Sequence, residues 1–465
     1  MYKEDTIAAI ATGLGRSAIG IIRISGPKAI ETADKLFRGV DGKRLADMKS
    51  FTAAYGHLVI PESSAVLDEV IALVMRKPHT YTTEDTVELD CHGGPLVMRR
   101  ILDALIREGI RPAEPGEFTR RAFLGGRIDM TGAEAVMDVI NAENERALDA
   151  SLEQLSGRLK NRISEIREKI LYETAYIESA LDDPENYSLD GYGDRLQDTV
   201  KTCSESIREL INSFDEGRIL KEGVRTVIAG RPNVGKSSLL NLLAGAERAI
   251  VTDIEGTTRD TLEEYINLGD ITLKLIDTAG IRDTDDRVER IGVEKALESL
   301  EAADLVLMIL DGSDELRDID RDILDKLRDK KLITLINKSD LERKLTDDML
   351  HKLLGDRAEA SPVIEMSALT GDGLQQLKDA IRRMFYEQGL DYNDQLYITN
   401  ARHKAGLIAA LDSLERVEES IAMGVGEDFY TIDLMAAYES LGEIIGERLQ
   451  DDLADKIFSE FCMGK

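Results

Sequence analysis

The stretch GRPNVGKS at residues 230–237 decides the fold of the central part of this chain. It matches the pattern G-x-x-x-x-G-K-[ST] in full, follows an apolar run and leads into the helix-like sequence SSLLNLLAG. In such a setting the glycines let backbone N–H groups turn inward and surround phosphate oxygens at a helix N-terminus. Lys236 is then placed to reach the β- and γ-phosphates, and the Ser237 hydroxyl to bind Mg²⁺. We call residues 230–237 the phosphate loop.

Outward from the phosphate loop, the chain alternates apolar runs with helix-like segments as far as about residue 385. The apolar runs are residues 224–229, 271–276, 305–310, 332–336 and 363–366. Continuous apolar strands separated by helices are typical of a parallel sheet that is covered on both faces. The sequence therefore predicts an α/β module, which we assign to residues 221–386.

Two motifs that follow later apolar runs predict guanine recognition. In NKSD at residues 337–340, Asp340 can accept two hydrogen bonds from guanine, from N1–H and from the exocyclic amine. Adenine does not offer that pattern, and a site built on paired hydrogen bonds discriminates strongly. Ser367 and Ala368 follow the last run, where a backbone N–H would meet the guanine O6. Taken singly, either motif could be an ordinary loop.

The motif DTAG at residues 277–280 completes the set. It places the Asp277 carboxylate near Mg²⁺ and the Gly280 N–H near the γ-phosphate. In this order the motifs resemble the Ras-like translation-factor class of GTPases. However, Ile281 stands where many such enzymes carry a glutamine that orients water, and an aliphatic side chain cannot do this.

Two further features indicate which groups would assist hydrolysis instead. Asn233 lies in the phosphate loop where small residues are common, and its amide oxygen is suited to bind a monovalent cation. The segment TDIEGTTRD at residues 252–260 is a candidate switch. Its Thr258 hydroxyl would complete the Mg²⁺ shell, and its carbonyls would bind the same monovalent cation. A solvated polar loop is the alternative for this segment.

The rest of the chain predicts two other kinds of domain, as its length of 465 residues requires. Residues 1–122 alternate β-rich runs (19–24, 70–75 and 86–89) with Gly/Pro breaks and one helix at 95–108, which indicates an α+β domain. From Leu148 to Ile170, leucines and isoleucines recur at spacings of three and four, which predicts one long amphipathic helix.

A break at residues 182–194 and a second helix to about residue 219 follow, and the chain returns to helix after residue 400. We therefore assign a helical bundle domain in two parts, residues 123–220 and 387–465, with the α/β module inserted between them. The apolar segments are short and broken by charges, and no basic region precedes an apolar one at the N-terminus. We expect a cytoplasmic protein that spans no membrane.

The net charge of −30, from 59 basic and 89 acidic residues, repels polyanions on average. A nucleic-acid partner would therefore need a local basic surface or a second protein. Basic residues gather outside the α/β module and form a candidate surface for a nucleic acid or for a partner protein, although a basic helix face is usually only solvated. These residues are Arg99, Arg100, Arg107, Arg111, Arg120, Arg121 and Arg127.

The sequence also resembles, from end to end, the tRNA-modification GTPase MnmE (TrmE) family. The resemblance rests on IGIIRISGP at residues 19–27, VELDCHGGP at 87–95, RPAEPGEFTRRAFLGGRIDMTGAEAV at 111–136, the α/β module and the terminal FCMGK. It implies an N-terminal folate-binding and dimerisation domain, a helical domain and an inserted Ras-like G domain. It also implies a homodimer, and a heterotetramer with the flavoprotein GidA (MnmG).

The resemblance further implies a function. The two proteins would convert C5 of the wobble uridine of certain tRNAs to an aminomethyl or carboxymethylaminomethyl form, with one carbon from a tetrahydrofolate derivative in the methylene or formyl form. Hydrolysis of GTP would need K⁺ in place of an arginine finger, and Glu289 would orient the attacking water through a second water. A ribosome-assembly GTPase, or a nucleotide-switched scaffold without a direct role in tRNA chemistry, is the alternative.

The motifs and the resemblance together assign the following sites. The GTP-binding residues are Asn233, Val234, Gly235, Lys236, Ser237, Ser238, Thr252, Asp253, Ile254, Glu255, Gly256, Thr257, Thr258, Asp277, Thr278, Ala279, Gly280, Asn337, Lys338, Ser339, Asp340, Ser367, Ala368 and Leu369. The Mg²⁺ ligands are Ser237 and Thr258, and the K⁺ ligands are Asn233, Thr252, Ile254 and Thr257. The folate contacts are Arg23, Glu88, Arg127 and Lys465.

Three interpretations are open for Cys462. A C-a-a-X lipidation signal is poor, because Gly464 and Lys465 end the chain and no basic stretch precedes them. A catalytic thiolate near the folate and uracil sites is what the resemblance implies, and a buried inert thiol is the third reading. From the residues alone, Arg23 and Glu88 would be ordinary surface ion-pair residues, and Glu289 an exposed glutamate at a helix start.

Overall fold

The structure is a computed structural model of the chain. It describes residues 5–142, 144–246, 264–269, 271–276, 300–327, 330–357, 361–385, 396–447 and 464. The chain divides into two compact units. The first comprises Met1–Met137, Gln154–Val200 and Asp412–Lys465, and the second comprises Asp138–Glu153 and Lys201–Leu411.

Within the described residues of the first unit, seven strands form one sheet. They are β1 (Ile7–Ile10), β2 (Ile19–Ser25), β3 (Phe37–Gly39), β4 (Thr52–Val59), β5 (Val66–Met75), β6 (Thr86–His92) and β7 (Arg111–Pro112). Their order is β3-β4-β5-β6-β2-β1-β7, and all neighbours are antiparallel except the parallel pair of β1 and β7. The three β-rich runs of the sequence are thus confirmed as strands.

The two faces of this sheet are covered differently. Helices α1 (Ala29–Leu36) and α2 (Pro95–Arg107) lie on one face. Helix α2 begins with a proline at its first turn and buries Met98, Ile101 and Leu105, which lie on one side of the helix. On the other face, Phe118 of α3 (Glu117–Leu124) packs in a small cluster with Ile7, Ala9 and Ala113.

The helices that follow correct one prediction. They are α4 (Met130–Ile140), α5 (Glu145–Leu155), α6 (Arg158–Asp182), α7 (Tyr192–Asn212) and α8 (Phe214–Glu222). The single long helix predicted through residues 148–170 is wrong, because the chain breaks between α5 and α6. Gly157 there has φ of +87°, a left-handed conformation that glycine adopts readily and that ends a helix.

In the second unit, six described strands form a sheet around the phosphate loop. They are β8 (Val224–Ala229), β9 (Glu264–Asn267), β10 (Thr272–Leu275), β11 (Leu305–Asp311), β12 (Lys331–Asn337) and β13 (Val363–Glu365). Their order is β13-β12-β11-β8-β10-β9. The five predicted apolar runs are confirmed, but a wholly parallel sheet is wrong at one edge. There β9 pairs antiparallel with β10, as a short connection between strands allows.

Helices cover this sheet on both sides. They are α9 (Lys236–Ala246), α10 (Asp318–Asp325), α11 (Asp347–Leu354) and α12 (Leu374–Phe385). Leu307 and Ile309 of β11 share a core with residues of α9 and α12, whereas Met308 packs with residues of α10 and α11. Since β11 is buried along both faces, its sequence is continuously apolar. The carboxyl ends of β8, β11 and β12 consequently meet at one edge of the sheet.

The last described helices are α13 (Ala401–Ala422) and α14 (Tyr430–Ile445). Short 3₁₀ turns occur at Leu45–Asp47, Gly355–Arg357 and Glu427–Phe429. No helix in the described part of the chain is both long and apolar enough to cross a bilayer. The predicted fold class is confirmed: an α+β N-terminal domain, helical elements and an α/β Ras-like G domain.

Candidate functional site

The phosphate loop connects β8 to α9 and closes on its own lysine. Lys236 Nζ donates hydrogen bonds to the carbonyl oxygens of Gly230, at 2.8 Å, and Arg231, at 3.0 Å. Asn233 has φ of +64° and Gly235 φ of +103°, so the backbone turns twice through the left-handed region. This turn is what directs successive N–H groups of such a loop toward a bound anion.

Asn337, at the carboxyl end of β12, joins three of the predicted motifs. Its Nδ2 donates to the carbonyl of Val234 at 2.7 Å, and its Oδ1 accepts from the N–H of Ala368 at 2.9 Å. The side chain is buried, and a Cβ on Gly235 would lie 2.1 Å from its Nδ2. The structure therefore brings the phosphate loop, NKSD and the 367–369 segment together.

The residues that follow Asn337 are also held in place. Ser367 Oγ donates to Asp340 Oδ1 at 2.6 Å, and Asp340 itself is exposed. Lys338 has φ of +65° and donates from Nζ to Asp311 Oδ2 at 2.6 Å. Burial alone would raise the pKa of Asp311, but the hydrogen bonds from Lys338 and Ser313 outweigh it and hold the pKa below its ordinary value.

Two residues of this region were missed by the sequence reasoning. Asp311 ends β11, and its position at the carboxyl edge of the sheet was the signal available. Arg231 lies inside the phosphate loop, but its guanidinium points to Asp314, with Nη2 to Oδ2 at 2.9 Å, and is buried. A single sequence gives no signal for the contact between Arg231 and Asp314, because that contact depends on how β8 and β11 pair.

Part of the predicted site lies outside the described residues. This applies to the switch residues Thr252, Asp253, Ile254, Glu255, Gly256, Thr257 and Thr258, to Asp277, Thr278, Ala279 and Gly280, and to Glu289, Cys462 and Lys465. The strand that leads to DTAG is described. Leu275 of β10 lies opposite Thr226 of β8, and the N–H of Ile276 donates to the Thr226 carbonyl at 3.0 Å.

A second candidate site lies in the first unit. Arg23 of β2 and Glu88 of β6 are direct neighbours in the sheet, and Arg23 Nε donates to Glu88 Oε1 at 2.8 Å. The Arg23 guanidinium lies 5.5 Å from the ring centre of Tyr81, and the Arg127 guanidinium lies 4.7 Å from the same ring. The predicted folate contacts Arg23, Glu88 and Arg127 are therefore gathered around Tyr81, which the sequence reasoning missed.

Gly464, within the terminal FCMGK, lies beside the same sheet. Gly464 is buried and has φ of +92°, and a Cβ on it would lie 2.4 Å from the carbonyl oxygen of Ile10. Ile10 ends β1, and its neighbour Ala9 pairs with Arg23 across the sheet. Gly464 is the one residue of FCMGK that the structure describes. It packs beside β1, the strand that pairs with β2 at Arg23.

The predicted basic surface is wrong for two of its seven arginines. Arg121 is buried and pairs with Asp5 at 2.6 Å, Glu84 at 3.0 Å and Glu117 at 3.0 Å. Arg111 pairs with Asp5 at 2.7 Å and with Glu117 at 2.5 Å. These arginines neutralise carboxylates inside the domain, so they offer no charge to a partner.

The fold and the phosphate-loop site define a P-loop GTPase, with the base-reading loops placed after β12 and β13. Comparison with known proteins narrows the class. Residues 130–462 match the family described as "MnmE helical domain", and residues 6–127 match "GTP-binding protein TrmE N-terminus".

Full-length relatives belong to the same family as these two matches. The tRNA modification GTPase MnmE of Lachnoclostridium phytofermentans is 51% identical over 464 residues, and that of Acetivibrio thermocellus is 46% identical over 465 residues. Both alignments cover 100% of this chain and 100% of the relative. The chain belongs to the MnmE family of tRNA modification GTPases. It is accordingly a GTP hydrolase that acts in tRNA modification.

Proposed function

We propose that the chain is a K⁺-dependent GTPase that works with the flavoprotein GidA (MnmG) on C5 of the wobble uridine of certain tRNAs. The product carries an aminomethyl or carboxymethylaminomethyl group, and the one-carbon unit comes from a tetrahydrofolate derivative. The observation that supports this most is the grouping of Arg23, Glu88 and Arg127 around Tyr81, with Gly464 of the C-terminal motif beside the same sheet.

Residues in and beside the phosphate loop bind the phosphates, Mg²⁺ and the guanine base. Lys236 binds the β- and γ-phosphates in place of the two loop carbonyls that it now contacts, and the Ser237 hydroxyl binds Mg²⁺ with Thr258. Asp340 reads the guanine edge while Ser367 holds its carboxylate. Asn337 keeps the phosphate and base loops at a fixed separation.

Potassium supplies the charge that an arginine finger supplies elsewhere. The amide oxygen of Asn233 and the carbonyls of residues 252, 254 and 257 are the kind of oxygen ligands that replace the hydration shell of K⁺. Glu289 orients the attacking water through a second water, because Ile281 cannot.

The side chains around Tyr81 suit the chemistry of a reduced folate. A reduced folate carries a flat heterocycle with hydrogen-bond donors and acceptors, and a carboxylate tail. The paired Arg23 and Glu88 side chains, only 17% and 19% exposed, present donor and acceptor edges, and Arg127 and Lys465 suit the tail. Cys462 would supply a catalytic thiol.

The homodimer has support in apolar side chains of the same sheet that are exposed among the described residues. Tyr55 of β4 lies directly opposite Ile71 of β5, and they are 51% and 48% exposed. Ile19 of β2 is 61% exposed as well. Exposed apolar residues at neighbouring sheet positions favour burial against another protein surface, here a second copy of the chain.

Folate binding by the full-length chain tests the proposal. We expect Arg23→Gln and Glu88→Gln each to weaken binding of 5-formyl-tetrahydrofolate at least about tenfold, because each leaves a charged partner unpaired. Arg38→Gln on β3 is the matched control and keeps wild-type affinity. Equal folate affinity in the wild type and the two site variants, with GTP hydrolysis intact in all of them, would refute the folate assignment.

A further inference from the structure

Helix α2 presents three arginines on the side that faces away from the sheet. Arg99, Arg100 and Arg107 are all exposed, whereas Met98, Ile101 and Leu105 of the same helix are fully buried. At 100° per residue, the three arginines fall within an arc of about 100°. Leu96, at the start of the helix, lies in this arc and is 71% exposed. We call this surface the α2 face.

The arginines of the α2 face outnumber the acidic residues on the same arc of the helix. None of the three makes an ion pair or a side-chain hydrogen bond among the described residues, in contrast to Arg111 and Arg121. Asp103 is the one acidic residue of α2, and it lies on the same arc. Glu108 follows the end of the helix and lies 3.8 Å from Lys35. A surplus of positive charge therefore remains on this helix.

The positive charge of the α2 face contrasts with the negative net charge of the chain. The chain has a net charge of −30, so a polyanion is repelled on average and must approach a local positive surface. Arginine suits such a partner, because its planar guanidinium forms paired hydrogen bonds with phosphate oxygens. Arg100 and Arg107 are separated by about 11 Å along the helix axis, enough for each to meet a different phosphate.

We propose that the α2 face binds the sugar–phosphate backbone of the tRNA substrate. The proposal rests on the role of the family in tRNA modification and extends it, since it assigns a surface of this chain to RNA. The contacts are to phosphates, so they position the tRNA without reading its sequence. The occupant is a polyanion because the surface combines three arginines, which form no ion pair among the described residues, with one carboxylate.

The test compares tRNA binding by the full-length wild type and by a triple variant, R99Q/R100Q/R107Q. Binding of unmodified tRNA is measured at several KCl concentrations, alone and with the flavoprotein. We expect the affinity to fall at least about tenfold at low salt, and the slope of log affinity against log salt to shrink by about 2. A second triple variant, K169Q/K201Q/K352Q, removes the same charge from exposed lysines on other helices and keeps the wild-type slope.

Four outcomes overturn the proposal. They are equal affinity and slope in the wild type and the α2 variant, an equal loss in the lysine control, an absence of tRNA binding by the wild type under both conditions, and loss of flavoprotein binding at unchanged tRNA affinity. Thermal unfolding of the variant like that of the wild type shows that its N-terminal domain is folded, and wild-type GTP hydrolysis shows the same for the G domain. Folate binding is measured on the same preparations, so a failed folate assignment is distinguished from a failed tRNA surface.

Discussion

Asn337 is the residue on which the nucleotide site depends most directly. It makes one hydrogen bond to the phosphate loop and one to the loop after β13, and it is buried between them. Leaving a buried donor or acceptor unpaired costs about 1–3 kcal/mol for each group. The Asn337→Ala change would leave the Val234 carbonyl and the Ala368 N–H without this partner.

We therefore expect Asn337→Ala to raise the Kd for GTP by at least about tenfold, measured by equilibrium titration with a fluorescent GTP analogue. Asn186→Ala is the matched control, because Asn186 is exposed and, among the described residues, hydrogen-bonds only Asp183 in a surface turn. An unchanged Kd in the Asn337 variant would show that the two loops keep their positions without this amide.

Asp311 gives a prediction about pH. Its pKa is lowered in the folded state, so its contribution to stability is present above the unfolded pKa, about 3.9, and is lost as the pH falls through the folded value. Asp311→Asn should therefore lower the midpoint of urea unfolding at pH 7. The difference from the wild type should shrink below about pH 4. A difference that stays constant from pH 7 to pH 3 would mean that ionisation of Asp311 is not its source.

At the scale of elements, the phosphate loop and α9 differ in the space that they leave for a side chain at a glycine position. A Cβ on Gly235 would meet Asn337 Nδ2 at 2.1 Å, and Gly235 has φ of +103°. Gly245, in α9, has nothing within 4 Å of such a Cβ. The same chemical change therefore has opposite effects at the two positions.

Gly235→Ala should abolish most GTP binding, because both the backbone conformation and the contact with Asn337 are lost. Gly245→Ala should leave binding unchanged and stabilise the chain by at most about 0.5–1 kcal/mol, the gain from alanine in a helix interior, because Gly245 is the last residue but one of α9. Thermal unfolding and GTP titration of the two variants check this. Full GTP affinity in Gly235→Ala would contradict the close approach of the two loops.

The elements also show how far sequence reasoning reaches. The runs that became β8, β11 and β12 were predictable because strands buried on both faces must be apolar throughout. The edge strand β9 was not, since EYIN at residues 264–267 alternates too briefly to stand out. The break at Gly157 was hidden because the apolar spacing continues through it.

The candidate sites divide in the same way. GRPNVGKS and NKSD carry their chemistry in local sequence, so their residues could be assigned before any coordinates. The pairing of Lys338 with Asp311 and the place of Tyr81 between two arginines arise only when distant segments pack together. No single-sequence pattern encodes such contacts.

At the scale of the whole molecule, the proposed role of K⁺ gives a direct prediction. Replacing K⁺ by Na⁺ at equal ionic strength should lower kcat for GTP hydrolysis by about tenfold or more. The smaller Na⁺ holds its water more tightly and does not fill a site whose oxygen ligands replace the hydration shell of K⁺, so the charge that stabilises the transition state is missing from the site. The affinity for GTP, measured in both salts, controls for a general effect on the site. Equal kcat in K⁺ and Na⁺ would remove the cation from the mechanism.

The measurement that tests the central claim most directly is the nucleoside composition of tRNA from cells lacking this protein. We predict that the modified wobble uridine disappears, and that the wild-type gene restores it while the Lys236→Ala variant, which lacks the phosphate-binding lysine, does not. Modified uridine at the normal level in cells without the protein, or full restoration by Lys236→Ala, would contradict a GTP-driven role in this chemistry.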